Sequence, residues 1–222
     1  LLGYDTHADF VLEKNMAEVA LELATLYRPT LILAGRSPLP PDEELPEISG
    51  LETYRQLRDY LGYIKVRFDF GRMKYIIPPG LYAIGEPDEN SPVFVSANYK
   101  MSFDHLRREL KNINGWILVL DTKGINVWCA AGKGTFGTKE LIHRIKKTNL
   151  EQLIKHRELI VPQLGAAGVS IHQVKEAIGF KVIYGPVRAS DIVPFLQDNK
   201  KTTTEMRRIH FNMLDRSVLI PA

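Results

Sequence analysis

The stretch WILVLDTKGINVWCAAGKGTFGT, residues 116–138, carries the strongest strand signal in the chain together with its single cysteine, Cys129. WILVLD (116–121) is an apolar run of strand length, and DTKG behind it has turn chemistry, so the run reads as a central strand. Beyond the turn, Asn126, Val127 and Trp128 read as the end of another strand-like segment. Ala130, Ala131, Gly132 and the glycines at 134 and 137 then surround Cys129 with small residues. Everything on either side bears on what that thiol does.

Upstream, PPG (78–80) is a turn leading into a strand over 81–84, and PVFVSANY (92–99) is a buried strand. Ser102 is placed to cap a helix through about Leu110, with Phe103, Leu106 and Leu110 on its buried side. Downstream, Thr138 caps a helix bearing Leu141, Ile142 and Ile145, and Thr148 with Glu151 has capping-box spacing for the next. LIVPQLG (159–165) and FKVIYGP (180–186) read as strands. The Ser170 and Gln173 pair opens the helix between them. ASDIVPFL is a short helix with Pro194 in its first turns, and Thr202 with Glu205 opens a last helical turn. Strands alternating with helices at this spacing predict an α/β domain with a mainly parallel sheet.

In such a sheet, ligands sit beyond the carboxyl ends of the strands. Four loops there are rich in small residues: SANYK (96–100), the segment around Cys129, QLGAAG (163–168) and GPVRAS (185–190). Several open loops on one edge favour a broad, flat ligand over a small slot. Residues 1–60 have a different texture. A helix is expected from Asp9 to about Leu26, then a short strand at 30–34. A Pro-rich, acidic loop over 35–50 and a second helix from Leu51 follow. This helical and irregular region has no assigned role.

Composition is that of an ordinary globular protein, with 222 residues, 45% hydrophobic, 25% charged and net charge +3. No basic block interleaved with aromatics points to nucleic acid. One cysteine excludes an internal disulfide framework and all-cysteine zinc or iron–sulfur sites. No apolar run of about 18 residues exists, so no membrane span is expected in this segment. The absence of an initiator methionine and the abrupt end at VLIPA suggest a fragment of a longer protein, with room for a membrane anchor outside it.

The glycines around Lys133 invite a phosphate-loop reading that fails on spacing. Val127 stands where the first glycine belongs, and Gly134 follows Lys133 instead of Ser or Thr. Lys133 remains either a solvated loop lysine or a contact to an anionic edge. Cys129 has three readings: a small buried hydrophobe, the commonest fate of a lone cysteine; a nucleophile; or a metal ligand. His143, His156 and His172 lie downstream in no arrangement that pairs one with the thiol. No His/Asp/Glu cluster supplies companion ligands. A metal reaching Cys129 would therefore arrive with its coordination nearly filled, as in a macrocycle. Asn98 and Lys100 are as suited to capping as to ligand contact, and Gln163 sits at a strand end beside glycines. The basic run from His143 to Arg157 reads as a solvated face or a dock for an acidic partner.

ILVLDTKGINVWCAAGKGTFGTKEL closely resembles the corrinoid-binding domain of the mercury-methylating corrinoid proteins. The wider family includes the large subunit of the corrinoid iron–sulfur protein of the acetyl-CoA pathway. PPGLYAIG, SPVFVSANYKMSFDHLRREL, IVPQLGAAGVSIHQVKEAIGFKVIYGPVRASDIVPFL and EMRR extend the likeness over roughly residues 72–222. The resemblance implies a Rossmann-like domain binding a cobalamin-type corrinoid base-off, with NVWCAAGK on a capping helix under the ring. It makes Cys129 the lower axial cobalt ligand, where the iron–sulfur branch typically has threonine. Asn126, Val127, Trp128, Ala130, Ala131, Gly132 and Lys133 would place that ligand. Asn98, Gln163, Gly165, Gly168, Gly185 and Pro186 would frame the ring edge and its tail.

A thiolate is a soft, strongly donating ligand suited to cobalt in a macrocycle. Donation from below favours leaving of a methyl group with its electron pair, the form a Hg(II) acceptor requires. The resemblance further implies a methyltransferase domain of an anaerobic system, facing the cytoplasm from an inner-membrane parent. A ferredoxin-like iron–sulfur reductant and a folate-linked methyl donor would be its partners. The expectation competing most closely is a methyl carrier of the acetyl-CoA pathway type. A non-catalytic nucleotide- or phosphate-binding α/β module stands further off.

Overall fold

The structure, a computed structural model, describes residues 75–209. The expected helices from Asp9 and Leu51, the strand at 30–34, the loop over 35–50 and the final SVLIP strand lie outside the described residues.

In chain order the elements are β1 (Gly80–Ile84), β2 (Val93–Ala97), α1 (Lys100–Glu109), β3 (Gly115–Leu120), α2 (Val127–Lys133), α3 (Thr138–Lys147) and α4 (Leu150–Leu153). β4 (Glu158–Val161), α5 (Ile171–Ile178), β5 (Lys181–Tyr184) and α6 (Ile192–Gln197) follow, with 3-10 turns at Gln163–Gly165, Ala189–Asp191 and Glu205–Arg207. The strands form one sheet in the order β1-β3-β2-β4-β5. β2 to β5 run parallel and β1 pairs antiparallel to β3, so the sheet is mainly parallel as the alternation predicts. Its middle strand is β2, with all five residues buried; WILVLD lies one place nearer the β1 edge.

Apolar residues on both sides of each strand explain the layering, because a parallel sheet is covered on both faces. On one face Val93, Val95, Leu118, Leu120, Leu159 and Val161 pack with Phe136, Leu141, Ile145, Val174 and Phe180 from the side of α2, α3 and α5. On the other, Phe94, Ile117, Val119 and Ile160 pack with Phe103, Leu106, Leu110, Ile192 and Phe195 from α1 and α6. Alternate residues of β3 serve opposite cores, which is the period-2 geometry of a strand. The result is a Rossmann-like α/β fold with helices on both faces.

Several local expectations change; the last turn, Glu205–Arg207, for one, starts after Thr204 and not at Thr202. α1 starts at Lys100, before Ser102, because the Lys100 and Ile77 N–H groups pair with the Tyr75 and Asn98 carbonyls and turn the chain early. Thr148 closes α3 instead of opening α4: its hydroxyl donates to the Arg144 carbonyl at 2.9 Å, and Asn149 in the left-handed region (φ 48°) makes the break. Residues 127 and 128 are helical, as the resemblance implies and the strand texture does not. Lys123 (φ 59°) and Gly124 (φ 74°) bend the chain off β3 before any strand can continue.

Candidate functional site

The parallel direction of β2 to β5 brings the four expected loops to one edge. α2 follows β3 at that edge. Asn126 caps it, its Oδ1 accepting the Cys129 N–H at 2.9 Å, and Gly134 (φ 78°) ends it in a left-handed turn. Ala130 and Ala131 form the buried side of α2, small enough to let the helix backbone lie close to the sheet. The opposite side presents Trp128, Cys129, Gly132 and Lys133 to solvent. Positions 128 and 132, and 129 and 133, are four apart and share a helix face. Cys129 is therefore exposed, and the buried-hydrophobe reading falls. Trp128 is 56% exposed, a large apolar ring left uncovered beside the thiol.

Both ends of α2 are fastened. At its start, the buried Asn98 Oδ1 accepts N–H groups from Thr122 at 3.1 Å and Gly124 at 3.0 Å. The Thr122 hydroxyl lies 2.8 Å from that oxygen and 2.7 Å from the Ile125 carbonyl, so its one hydrogen is shared between them. Glu140 on α3, paired with Arg144 at 2.7 Å, accepts the Asp121 N–H at 2.9 Å. Burial pushes the Asp121 carboxyl up, but hydrogen bonds from the Lys123 ammonium and N–H, with the charges of Lys123 and Arg144, hold it below its ordinary range.

Past the end of α2, the buried Phe136 takes its N–H back to the Ala130 carbonyl at 3.1 Å. The Gly168 carbonyl accepts the Thr138 N–H at 3.1 Å, and the Thr138 hydroxyl accepts the Ser170 N–H at 2.8 Å. A methyl group at Gly168 would stand 2.0 Å from the Phe136 carbonyl oxygen, and one at Gly165 2.5 Å from the Phe136 ring. These two glycines let the loop after β4 lie directly on the α2–α3 connection. Thr138, expected to cap α3, is instead its first residue, with Gly137 at the cap position, and its hydroxyl is a strap to that loop. Ser170 caps α5 as expected.

The other expected residues divide. Gly185 and Pro186 are buried in the loop after β5, where Pro186 accepts the Gln163 N–H at 3.5 Å. The Gln163 side-chain Oε1 is buried with no partner. Asn98 belongs to the edge but has its carboxamide spent on the turn before α2. Much of the basic run is neutralised: Arg144 is buried against Glu140, Arg157 pairs with Glu151 at 3.0 Å and Lys155 pairs with Glu89. Sequence reasoning did not single out Phe136 or Glu140. Phe136 was signalled only as an aromatic residue among glycines, and nothing local marks Glu140.

The donor set suits a preformed macrocycle. Among the described residues no three His, Cys, Asp or Glu come together to hold a bare metal ion. One thiol stands alone on an open helix face. Gly132, three residues on, has nothing within 4 Å of where a Cβ would be, so the chain's own packing does not call for glycine there. The orphaned Gln163 oxygen adds an unmet acceptor on the same edge. These features fit a corrinoid: Cys129 would be the residue able to donate to its metal, with Trp128 and Gly132 on the same open side of α2 and Gln163 after β4 on the same edge.

Fold and site together define an α/β domain whose parallel sheet presents an exposed thiol at its ligand edge. The family described as CO dehydrogenase/acetyl-CoA synthase delta subunit matches residues 74–196, more than half of the chain, and the chain belongs to that family. It is 35% identical over 123 residues to the acetyl-CoA decarbonylase/synthase complex subunit gamma of Methanopyrus kandleri, covering 54% of this chain and 26% of that one. The corresponding subunit of Methanothermobacter thermautotrophicus is 29% identical over 189 residues, 83% of this chain and 37% of the relative. The corrinoid/iron-sulfur protein large subunit of Moorella thermoacetica is 33% identical over 121 residues, 54% of this chain and 27% of the relative. The chain thus spans only 26–37% of these relatives' length. No helix among the described residues is long and apolar enough to cross a membrane.

Proposed function

We propose that residues 72–222 are a corrinoid-binding methyl-carrier domain in which the Cys129 thiolate is the lower axial donor to a cobalamin-type cofactor held base-off. The observation that carries this is the exposed Cys129 on the open face of α2, at the ligand edge of the sheet. A corrinoid there supplies a cobalt able to carry a methyl group and release it to an acceptor. The protein's share is placement. Asn126 fixes the Cys129 backbone and Ala130 and Ala131 seat the helix, while Trp128 and Val127 beside the thiol would keep water off the metal of a bound ring. Gly132 leaves the face flat, and the loops bearing Gln163, Gly165, Gly168, Gly185 and Pro186 frame the edge.

Two acceptors follow from two different observations. The names of the relatives support a carrier of the acetyl-CoA pathway type. The thiol supports Hg(II) as acceptor, giving methylmercury, because a strongly donating sulfur favours transfer of the methyl group with its electron pair. We assign the Hg(II) reading to this chain on the strength of Cys129. A ferredoxin-like iron–sulfur reductant and a folate-linked methyl donor complete that system, and an inner-membrane parent would hold the domain at the cytoplasmic face.

The test is anaerobic. The chain is loaded with methylcobalamin and presented with Hg(II) under thiol-free conditions, and methylmercury is measured against free methylcobalamin. Faster transfer in the wild type, lost in Cys129→Ala, supports the assignment. Transfer no faster than from free cofactor returns the domain to the acetyl-CoA type. Failure to retain any cobalamin removes the corrinoid reading itself.

A further inference from the structure

Resting on the corrinoid reading, we propose that Asn98 is a positioning residue for the Cys129 thiol, acting through the turn that launches α2 and not through contact with the cofactor. Asn98 directly follows β2, 31 positions before Cys129 in the chain, and is 2% exposed. Its Oδ1 accepts from the Thr122 and Gly124 N–H groups at 3.1 and 3.0 Å and shares the Thr122 hydroxyl at 2.8 Å. An oxygen serving three donors has no lone pair left for a ligand. Its Nδ2 faces Asp121 Oδ1 at 3.5 Å, inside the same turn.

This bracket sets where α2 begins. Thr122 is fully buried and Gly124 is buried in the left-handed region, so water has no access to replace the missing acceptor. From Gly124 the path to the thiol is short: Ile125, bonded through its carbonyl to the Thr122 hydroxyl, then Asn126, whose Oδ1 holds the Cys129 N–H at 2.9 Å. The far end of α2 is held separately by Phe136, Thr138 and Gly168. Release of the Asn98 bracket therefore frees the front of the helix, where Cys129 sits, while the rear stays seated. Thiol and sheet edge are then no longer in fixed register.

Two readouts on the full chain test this: hydrogen exchange across residues 122–130 without cofactor, and the Cys129-dependent absorption change of added hydroxocobalamin. Asn98→Ala is expected to speed exchange in that segment at least tenfold and to lose at least half of the absorption change. Thr148→Val, which removes a buried hydroxyl bonded to the Arg144 and Ile145 carbonyls, is the control. It should lower thermal stability and leave both readouts within twofold of wild type. Asn98→Ala within twofold of wild type on both, or a Thr148→Val control that shifts both equally, overturns the proposal. If Asn98→Ala does not fold, Thr122→Val against Thr122→Ser decides on the same readouts. A valine that behaves like the serine overturns it. Should the wild type show no Cys129-dependent absorption change, the thiolate role of Cys129 fails and the exchange readout alone decides the bracket.

Discussion

Gly132→Ala should make the cofactor-free protein more stable and its cofactor binding weaker. Glycine inside a helix costs about 0.5–1 kcal/mol relative to alanine. Gly132 is the sixth of seven residues in α2, where fraying lowers the gain to about 0.5 kcal/mol. With no atom within 4 Å of the added methyl, nothing offsets it. For a chain of this size that is a rise of about 1–2 °C in Tm. On the ligand side the methyl stands on the face shared with Cys129. A gap of about 0.5–1 Å between a flat ring and the helix forfeits a quarter to a half of each dispersion contact. Together with a lengthened bond from the thiolate, a tenfold loss of affinity is expected, about 1.4 kcal/mol. Absorption titration with hydroxocobalamin, alongside a cofactor-free thermal melt, gives both numbers. A raised Tm with affinity unchanged within twofold would show that nothing binds close against this face of α2.

Gly168→Ala tests the rear clamp: its methyl meets the Phe136 backbone oxygen at 2.0 Å, so the loop must move and overpacking costs about 3 kcal/mol, seen as a lower denaturant midpoint. A midpoint equal to wild type would contradict that interlock. Phe136→Ala removes a fully buried ring and should cost about 3–5 kcal/mol while leaving Cys129 exposed, as thiol labelling under native conditions would report. Glu158 supplies a pH test. Hydrogen bonds from Lys200 and Lys181 hold its carboxyl at about 2, against an ordinary 4.5. A depressed native carboxylate contributes stability above its unfolded value, and that share drains as pH falls from about 4.5 through about 2. Glu158→Gln should flatten the acid-unfolding slope in that window, and equal slopes would refute the pairing.

The sheet was legible because β2, β3 and β4 are short apolar runs of strand length bounded by turns, the pattern of strands covered on both faces. The ligand edge followed from topology once the strands were known to be parallel. The helical start of NVWCAAGK was hidden. Val127 and Trp128 have strand texture, and the bend that defeats it depends on Asn98 reaching across from β2. Local caps misled at Ser102 and Thr148 for the same reason, since tertiary backbone pairing and a left-handed Asn149 set those boundaries. Gly165 and Gly168 stood out as small residues. Their physical purpose, clearance for Phe136, involves contacts some thirty residues apart that no local pattern shows. The exposure of Cys129 also ran against the usual burial of lone cysteines. It follows from the short buried side of α2, which Ala130 and Ala131 fill completely.

The most direct measurement is the absorption spectrum of hydroxocobalamin bound to the full chain under anaerobic conditions, wild type against Cys129→Ala. Sulfur ligation from the open face of α2 predicts a base-off spectrum with a Cys129-dependent shift, absent in the alanine variant, while much of the ring binding survives. Identical spectra from the two proteins would contradict the thiolate role of Cys129.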